Sequence, residues 1–191
     1  GFFEIMTNSI TNSAYFSEAE LEGSVKMLNN LSAELNILRP FMLETGLEAI
    51  AHNLNRRNYD LRFFEYGKTY HTTGSGKYTE PEHLCLYITG KNLEDGWRSK
   101  ATPADFYVLK GMVGNLLQLL GVKDASWQPL EHPKFESGLQ ASVNGQVIVQ
   151  VGAVHKKSLA RFDIKQPVFF AELNWELLSR SAAAYKPGFQ A

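Results

Sequence analysis

Asn36-Ile37-Leu38-Arg39-Pro40-Phe41-Met42-Leu43-Glu44-Thr45-Gly46-Leu47-Glu48-Ala49-Ile50-Ala51-His52-Asn53-Leu54-Asn55-Arg56-Arg57-Asn58-Tyr59-Asp60 runs directly into Leu61-Arg62-Phe63-Phe64-Glu65-Tyr66-Gly67-Lys68-Thr69-Tyr70-His71. Two hydrophobic periods meet in this stretch. Leu43, Leu47, Ile50, Ala51 and Leu54 recur at steps of three and four, which predicts a helix over 42–57 with one apolar face. Gly46 interrupts it and weakens the helix signal. Asn58-Tyr59-Asp60 is turn chemistry. From Leu61 the period becomes two, with large apolar groups on both sets of alternating positions. That predicts a strand over 61–71, covered on both faces.

Outward from this centre, Phe2 to Ile10 reads as a strand. Thr11-Asn12-Ser13 can cap a short helix reaching about Glu22. A short helical piece is expected at Ser32 to Leu35. Thr72 to Lys77 is a flexible turn, so 61–71 and 83–90 are expected to form an antiparallel hairpin. Lys91 to Ala101 is polar and irregular. Thr102-Pro103 resembles a cap followed by proline at the first helical position, ahead of a helix from Asp105 to Leu120 that Gly121 stops. Ser126 to Leu130 is a short strand. Asn144-Gly145 between Gly138–Val143 and Gln146–Val154 is the strongest hairpin signal, because both turn residues tolerate positive φ. Lys156 to Phe162 and Trp175 to Ser181 read as helices around a strand from Pro167 to Leu173. The expected class is α+β: an antiparallel sheet flanked by helices.

With 191 residues, 44% apolar and 20% charged, the chain suits one globular domain. A chain of this length buries roughly 70% of its unfolded surface. A net charge of −1 gives no global pull toward nucleic acid or anionic lipid. Cys85 is the only cysteine, so no disulfide forms within the chain and a buried strand thiol is expected. A reducing cytoplasm fits that usage. No long apolar run suggests a membrane span. The start at Gly1-Phe2-Phe3 and the end at Lys186-Pro187-Gly188 are expected of a segment cut from a longer protein.

The search for chemistry is mostly negative. Gly74-Ser75-Gly76-Lys77 lacks the strand–loop–helix setting of a phosphate-binding loop. One cysteine and five scattered histidines offer no metal-ligand spacing. His71, at the end of the central strand, could act as a general base, with a structural role as the plainer alternative. Glu65 lies within a strand expected to be buried, so it needs a partner or a raised pKa. An arginine such as Arg39 or Arg62 would supply the partner; a catalytic role is the alternative. Arg56-Arg57 is a small basic spot at a helix C-terminus.

Several stretches carry a resemblance. Leu31 to Pro40, Gly46-Leu47, Asn53 to Arg57, Leu61 to Tyr70, Asp105 to Gly111, Val151 to His155 and Val168 to Leu173 together resemble the beta subunit of bacterial phenylalanyl-tRNA synthetase. They follow one order and cover nearly the whole chain. The resemblance implies a degenerate class II aminoacyl-tRNA synthetase catalytic-like fold over residues 1–185, with 186–191 as a linker toward an anticodon-binding domain. It implies a scaffold for the catalytic alpha subunit in a cytoplasmic heterotetramer of two alpha and two beta, charging tRNA(Phe) with ATP and magnesium. No cofactor is expected on this segment itself. In active relatives the second motif ends in an arginine on the ATP α-phosphate; His71 stands there. Glu172 and Asn174 replace third-motif glycines, and Leu177 replaces its arginine. A carboxylate repels triphosphate and leucine cannot neutralise it, so adenylation by this segment is not expected. Two other readings stay open. The old cleft, with Glu65, His71 and Glu172 facing it, could sense an amino acid or nucleotide, and Arg56, Arg57 and Lys68 could touch tRNA.

Overall fold

A computed structural model describes residues 1–30, 32–93, 96–97, 100–122 and 124–184. The expected linker at 186–191 lies outside the described residues. Among those described, seven strands form the main sheet: β1 (Phe3–Glu4), β2 (Leu61–Lys68), β3 (Glu82–Thr89), β4 (Ser126–Pro129), β5 (Phe135–Val143), β6 (Gln146–Val154) and β7 (Val168–Asn174). Among the described residues five α-helices accompany it: α1 (Glu18–Leu21), α2 (Leu43–Leu54), α3 (Phe106–Leu119), α4 (Lys156–Ala160) and α5 (Trp175–Ala184). The sheet order is β1-β2-β3-β7-β6-β5-β4. β1 runs parallel to β2, and every other pair is antiparallel. No helix among the described residues is long and apolar enough to cross a membrane.

Both sheet faces are covered, as the double apolar pattern of 61–71 requires. On one face Leu43, Leu47 and Ile50 of α2 pack with Phe63, Tyr87 and Phe170 of the central strands. On the other, Leu109, Val113 and Leu117 of α3 and Leu178 of α5 pack with Leu86, Val151 and Leu173. The expected hairpin of β2 and β3 is present, from Leu61 opposite Thr89 to Lys68 opposite Glu82. The Asn144-Gly145 turn is present too, with φ of 52° and 77°.

Five local expectations change for identifiable reasons. The strand expected over 61–71 ends at Lys68, because Tyr70 N–H donates to the Arg39 carbonyl; His71 then opens a separate ribbon, His71–Gly74 with Lys77–Thr79. The strand expected over 2–10 pairs with β2 only at Phe3 and Glu4, because Thr7 N–H turns inward to the Glu65 carboxylate; Ile10 pairs instead with Leu38. Thr102-Pro103 pairs with Lys91–Leu93 rather than capping α3; Asp105 is the cap, accepting from Val108 N–H at 2.8 Å. Ser32 to Leu35 is a tight turn, with Leu35 N–H on the Ser32 carbonyl. Helix α2 stops at Leu54, where Asn58 N–H donates to Asn53 and Arg57 N–H to Leu54. This is a Schellman closure with Arg57 in the left-handed position, φ 67°.

Gly46 now has a reason. A Cβ there would meet the Tyr87 ring at 2.1 Å. Tyr87 is fully buried, and its hydroxyl donates to the Met42 carbonyl at 2.8 Å, beside the first turn of α2. The missing side chain lets that helix sit directly on the sheet. Gly111 on α3 faces open space. The same substitution therefore has opposite signs at the two sites. Gly111→Ala should stabilise by about 1 kcal/mol through helix propensity, and Gly46→Ala should destabilise by about 1–3 kcal/mol through overpacking. Urea unfolding of both variants reads the difference, and equal shifts would refute the close approach at Gly46.

Candidate functional site

Directly opposed residues of neighbouring strands share a sheet face. On the face covered by α2, one cross-strand row is polar from end to end: Glu65, Cys85, Glu172, Gln150, Gln140 and Gln128. A β-bulge in β6 makes the second half of this row. Across the turn Val143 faces Gln146, yet Ala141 faces Val149, so one residue of β6 is extra near Ile148. Without it Gln150 would face Leu139 and the glutamines would point to different sides.

The first end of the row is an internal ion pair. Arg39 and Glu65 are 3% and 2% exposed, with Nη1 donating to Oε1 at 3.0 Å. The remaining groups are satisfied around them. Arg39 Nε donates to the Lys68 carbonyl, Nη1 also donates to Thr7 Oγ1, and Thr7 gives its N–H to Glu65 Oε1. Of the two expected partners, Arg39 is the one that meets Glu65; Arg62 reaches Asn92 instead. Gly67 makes room for the guanidinium, since a Cβ there would lie 2.3 Å from Arg39 Nη2.

A second ion cluster was not visible in the sequence. Lys134, in the loop before β5, bridges Glu44 of α2 and Glu20 of α1. Its ammonium also lies 4.1 Å from the centre of the Phe41 ring and 4.8 Å from that of Phe16. Burial raises the Glu44 pKa, with Lys134 opposing the rise. The lone hint in the sequence is the lysine beside Pro133 and Phe135 in a strand-leading loop.

The middle of the row is different. Glu172 Oε1 lies 3.5 Å from His83 Nδ1, and Cys85 Sγ is 4.0 Å away. Burial pushes the Glu172 pKa up to about 7, with Glu44 adding to the rise and Lys134 opposing it. Burial holds His83 down to about 4, with His71 and Arg39 adding to the effect. His83 Nε2 shares a hydrogen with Thr69 Oγ1 at 2.9 Å, whereas Nδ1 has no hydrogen bond among the described residues. A cleft of about 180 Å3 opens here, lined by His83, Gln150, Glu172, Asn174 and the bulge around Ile148.

Glu65 and Glu172 thus flank Cys85 on one face. His71 stands off the sheet, edge-on to Phe41 at 6.4 Å. Leu177 packs in the opposite core, and its N–H is held by Asn174 Oδ1 at 3.1 Å. Arg56 and Arg57 lie before the start of β2, while Lys68 lies at its far end, roughly 23 Å along an eight-residue strand. Lys68 sits between Glu80 and Glu82, at 3.6 and 3.8 Å.

Residues 1–175 match the family model described as phenylalanyl tRNA synthetase beta chain CLM domain. The chain is 37% identical to the phenylalanine–tRNA ligase beta subunit of Bacteroides thetaiotaomicron over 204 aligned residues, covering all of this chain and 25% of the relative. It is 32% identical to that of Porphyromonas gingivalis, covering 97% of this chain and 24% of the relative. The chain therefore spans about a quarter of the length of the curated relatives it matches. In fold it is similar to a pyrrolysyl-tRNA synthetase of Desulfitobacterium hafniense, with TM-score 0.68 and 17% identity over 96% of this chain and 64% of the other. The sheet and its flanking helices are thus related in fold to the synthetase, as the resemblance implied.

Two measurements follow from the charges. Arg39→Met leaves the Glu65 carboxylate buried without its cation and should cost about 3–5 kcal/mol, while adding Glu65→Leu should restore most of the loss; equal destabilisation in urea by both would refute the pairing. The second concerns pH. The folded state holds the Glu172 proton more tightly than the unfolded state, so that stabilisation is full below pH 4.5 and is lost as pH rises through about 7, by about 3 kcal/mol. His83 works in the other sense: its contribution is full above pH 6.5 and is lost as pH falls through about 4. The two nearly cancel between them. Glu172→Gln should therefore unmask a stability that rises steeply with pH over this window, measured by urea midpoints; an unchanged pH profile would count against both assignments.

Proposed function

The chain belongs to the phenylalanyl-tRNA synthetase beta chain family, and from that premise we propose that it is the non-catalytic core of a phenylalanine–tRNA ligase beta subunit. In this reading residues 1–185 form the core, and 186–191 lead to an anticodon-binding module. The core scaffolds a catalytic alpha subunit in a cytoplasmic tetramer of two alpha and two beta. ATP and magnesium belong to the alpha subunit, and the assembled enzyme charges tRNA(Phe).

One observation carries the non-catalytic part. Both buried cations near this face are already matched by carboxylates, Arg39 by Glu65 and Lys134 by Glu20 and Glu44. The residue that faces the open cleft is a further carboxylate, Glu172. Binding a triphosphate needs unmatched positive charge, and the residues here do not fit it. Leu177, where active relatives are expected to hold an arginine, is directed into the opposite core. Catalysis therefore depends on assembly rather than on any side chain of this segment.

A second reading, a small-molecule site on the same face, is favoured by Glu172 itself. No cation lies within 4 Å of its carboxylate among the described residues, where the nearest basic group is the neutral His83 at 3.5 Å. Contact of Arg56, Arg57 and Lys68 with tRNA is the weaker reading, since the three lie at opposite ends of β2 and Lys68 is shared with two glutamates. The decisive experiment is co-purification of the chain, within its full-length subunit, with the alpha subunit, followed by phenylalanine-dependent ATP–pyrophosphate exchange. Exchange is expected from the mixture and not from the beta chain alone. Exchange by the beta chain alone, or failure to co-purify, would overturn the scaffold.

A further inference from the structure

We propose that the cleft on β3, β7 and β6 binds a small primary ammonium group, held by the Glu172 carboxylate and the Gln150 amide oxygen, with the His83 ring as one wall. This deepens the small-molecule reading above by naming the ligand chemistry, and it does not depend on the scaffold role.

The site is a two-by-two lattice on one sheet face. His83 opposes Asn174 across β3 and β7, and Glu172 opposes Gln150 across β7 and β6. Glu172 and Asn174 are two residues apart on one strand, so all four share a side. The lattice opens onto a cleft of about 180 Å3, with the β6 bulge at its edge. Bulges next to sites commonly aim side chains that regular pairing would turn away; this one aims Gln150.

The groups collected here are mainly acceptors. Glu172 receives no charged hydrogen bond among the described residues: its neighbours are a thiol at 4.0 Å and His83 Nδ1 at 3.5 Å. Nδ1 is buried and does not reach the cleft, so the imidazole contributes a wall rather than a ligand atom. Gln150 adds an amide oxygen. A primary ammonium has three N–H donors and no acceptor, so it matches the Glu172 carboxylate and the Gln150 amide oxygen that line the cleft. A guest anion finds no unmatched cation, because Arg39 and Lys134 are held elsewhere. A divalent metal finds one imidazole and one carboxylate, and no group of three ligating residues exists among those described. The space suits a short alkyl amine.

The charged and titratable groups around Glu172 set the pH behaviour. They are His83 and Cys85 from β3, Glu65 from β2, Glu44 from α2, and Lys134 and His132 from the loop before β5. Binding uses the ionised carboxylate, so affinity should rise as Glu172 loses its proton.

The test uses the full-length chain, isotope-labelled for amide NMR, with propylammonium as the probe. Saturable shifts at His83, Gln150, Glu172 and Asn174 are expected. Binding should tighten between about pH 6 and pH 8, and tetramethylammonium and propionate should leave those signals unmoved. Glu172→Gln should weaken propylammonium by at least about tenfold, the effect of losing one charge-assisted hydrogen bond. Its own spectrum checks the fold, and Gln150→Leu, which keeps the carboxylate, should weaken binding severalfold. No saturable shift, equal response to tetramethylammonium, or binding that neither variant weakens would each overturn the proposal. The exchange assay of the assembled enzyme is unaffected by any of these outcomes, so the scaffold role stands or falls separately.

Discussion

Two charges taken out of water together hold the centre of this molecule. Arg39 and Glu65 are nearly inaccessible, and neither is tolerable there alone. Much of the local chain path answers to them. Thr7 turns inward from the first strand to complete the carboxylate. The Lys68 carbonyl accepts from the guanidinium just where β2 ends, and the Arg39 carbonyl takes Tyr70 N–H, starting the separate ribbon that holds His71. Gly67 has no side chain because the guanidinium occupies that space. A single buried pair thus sets one strand end, one strand beginning and one glycine.

This arrangement also separates the protein's polarity from its chemistry. The sheet face carries many ionisable groups, yet its cations are matched internally. A face that received a polyanion would need cations pointing into open space. Here Arg39 and Lys134 are closed off within ion pairs and the position facing the cleft is a half-buried carboxylate. The cleft on this synthetase-like sheet is thus acidic rather than basic.

The architecture was largely legible from period and turn chemistry. The switch from steps of three and four to steps of two at Asn58-Tyr59-Asp60 marks α2 and β2, and Asn144-Gly145 marks the β5–β6 hairpin. Strand ends were less legible, because Tyr70 and Thr7 are diverted by a partner far away in sequence. The candidate residues were half legible. Glu65 stands out because a carboxylate in an apolar strand demands a partner. Glu172 stands out only through the resemblance. Its neighbour Gln150 was hidden by the β6 bulge: pairing counted from the turn puts Gln150 on the wrong face. Lys134 sits in a loop with no periodicity to read.

The position of β7 has a consequence for how the chain reaches its native state. The strand comes from near the end of the sequence but lies between β3 and β6, pairing Phe169 with Ile88 on one side and Ala153 on the other. The hairpins on either side can form early, since their partners are local. They stay two unjoined pieces with open inner edges until residues some eighty positions beyond β3 arrive. Long-range pairing of this kind slows folding and exposes strand edges meanwhile. During synthesis, the amino-terminal half of the sheet must wait for its keystone, and any delay in translating the last third prolongs the interval in which those edges can pair with another chain.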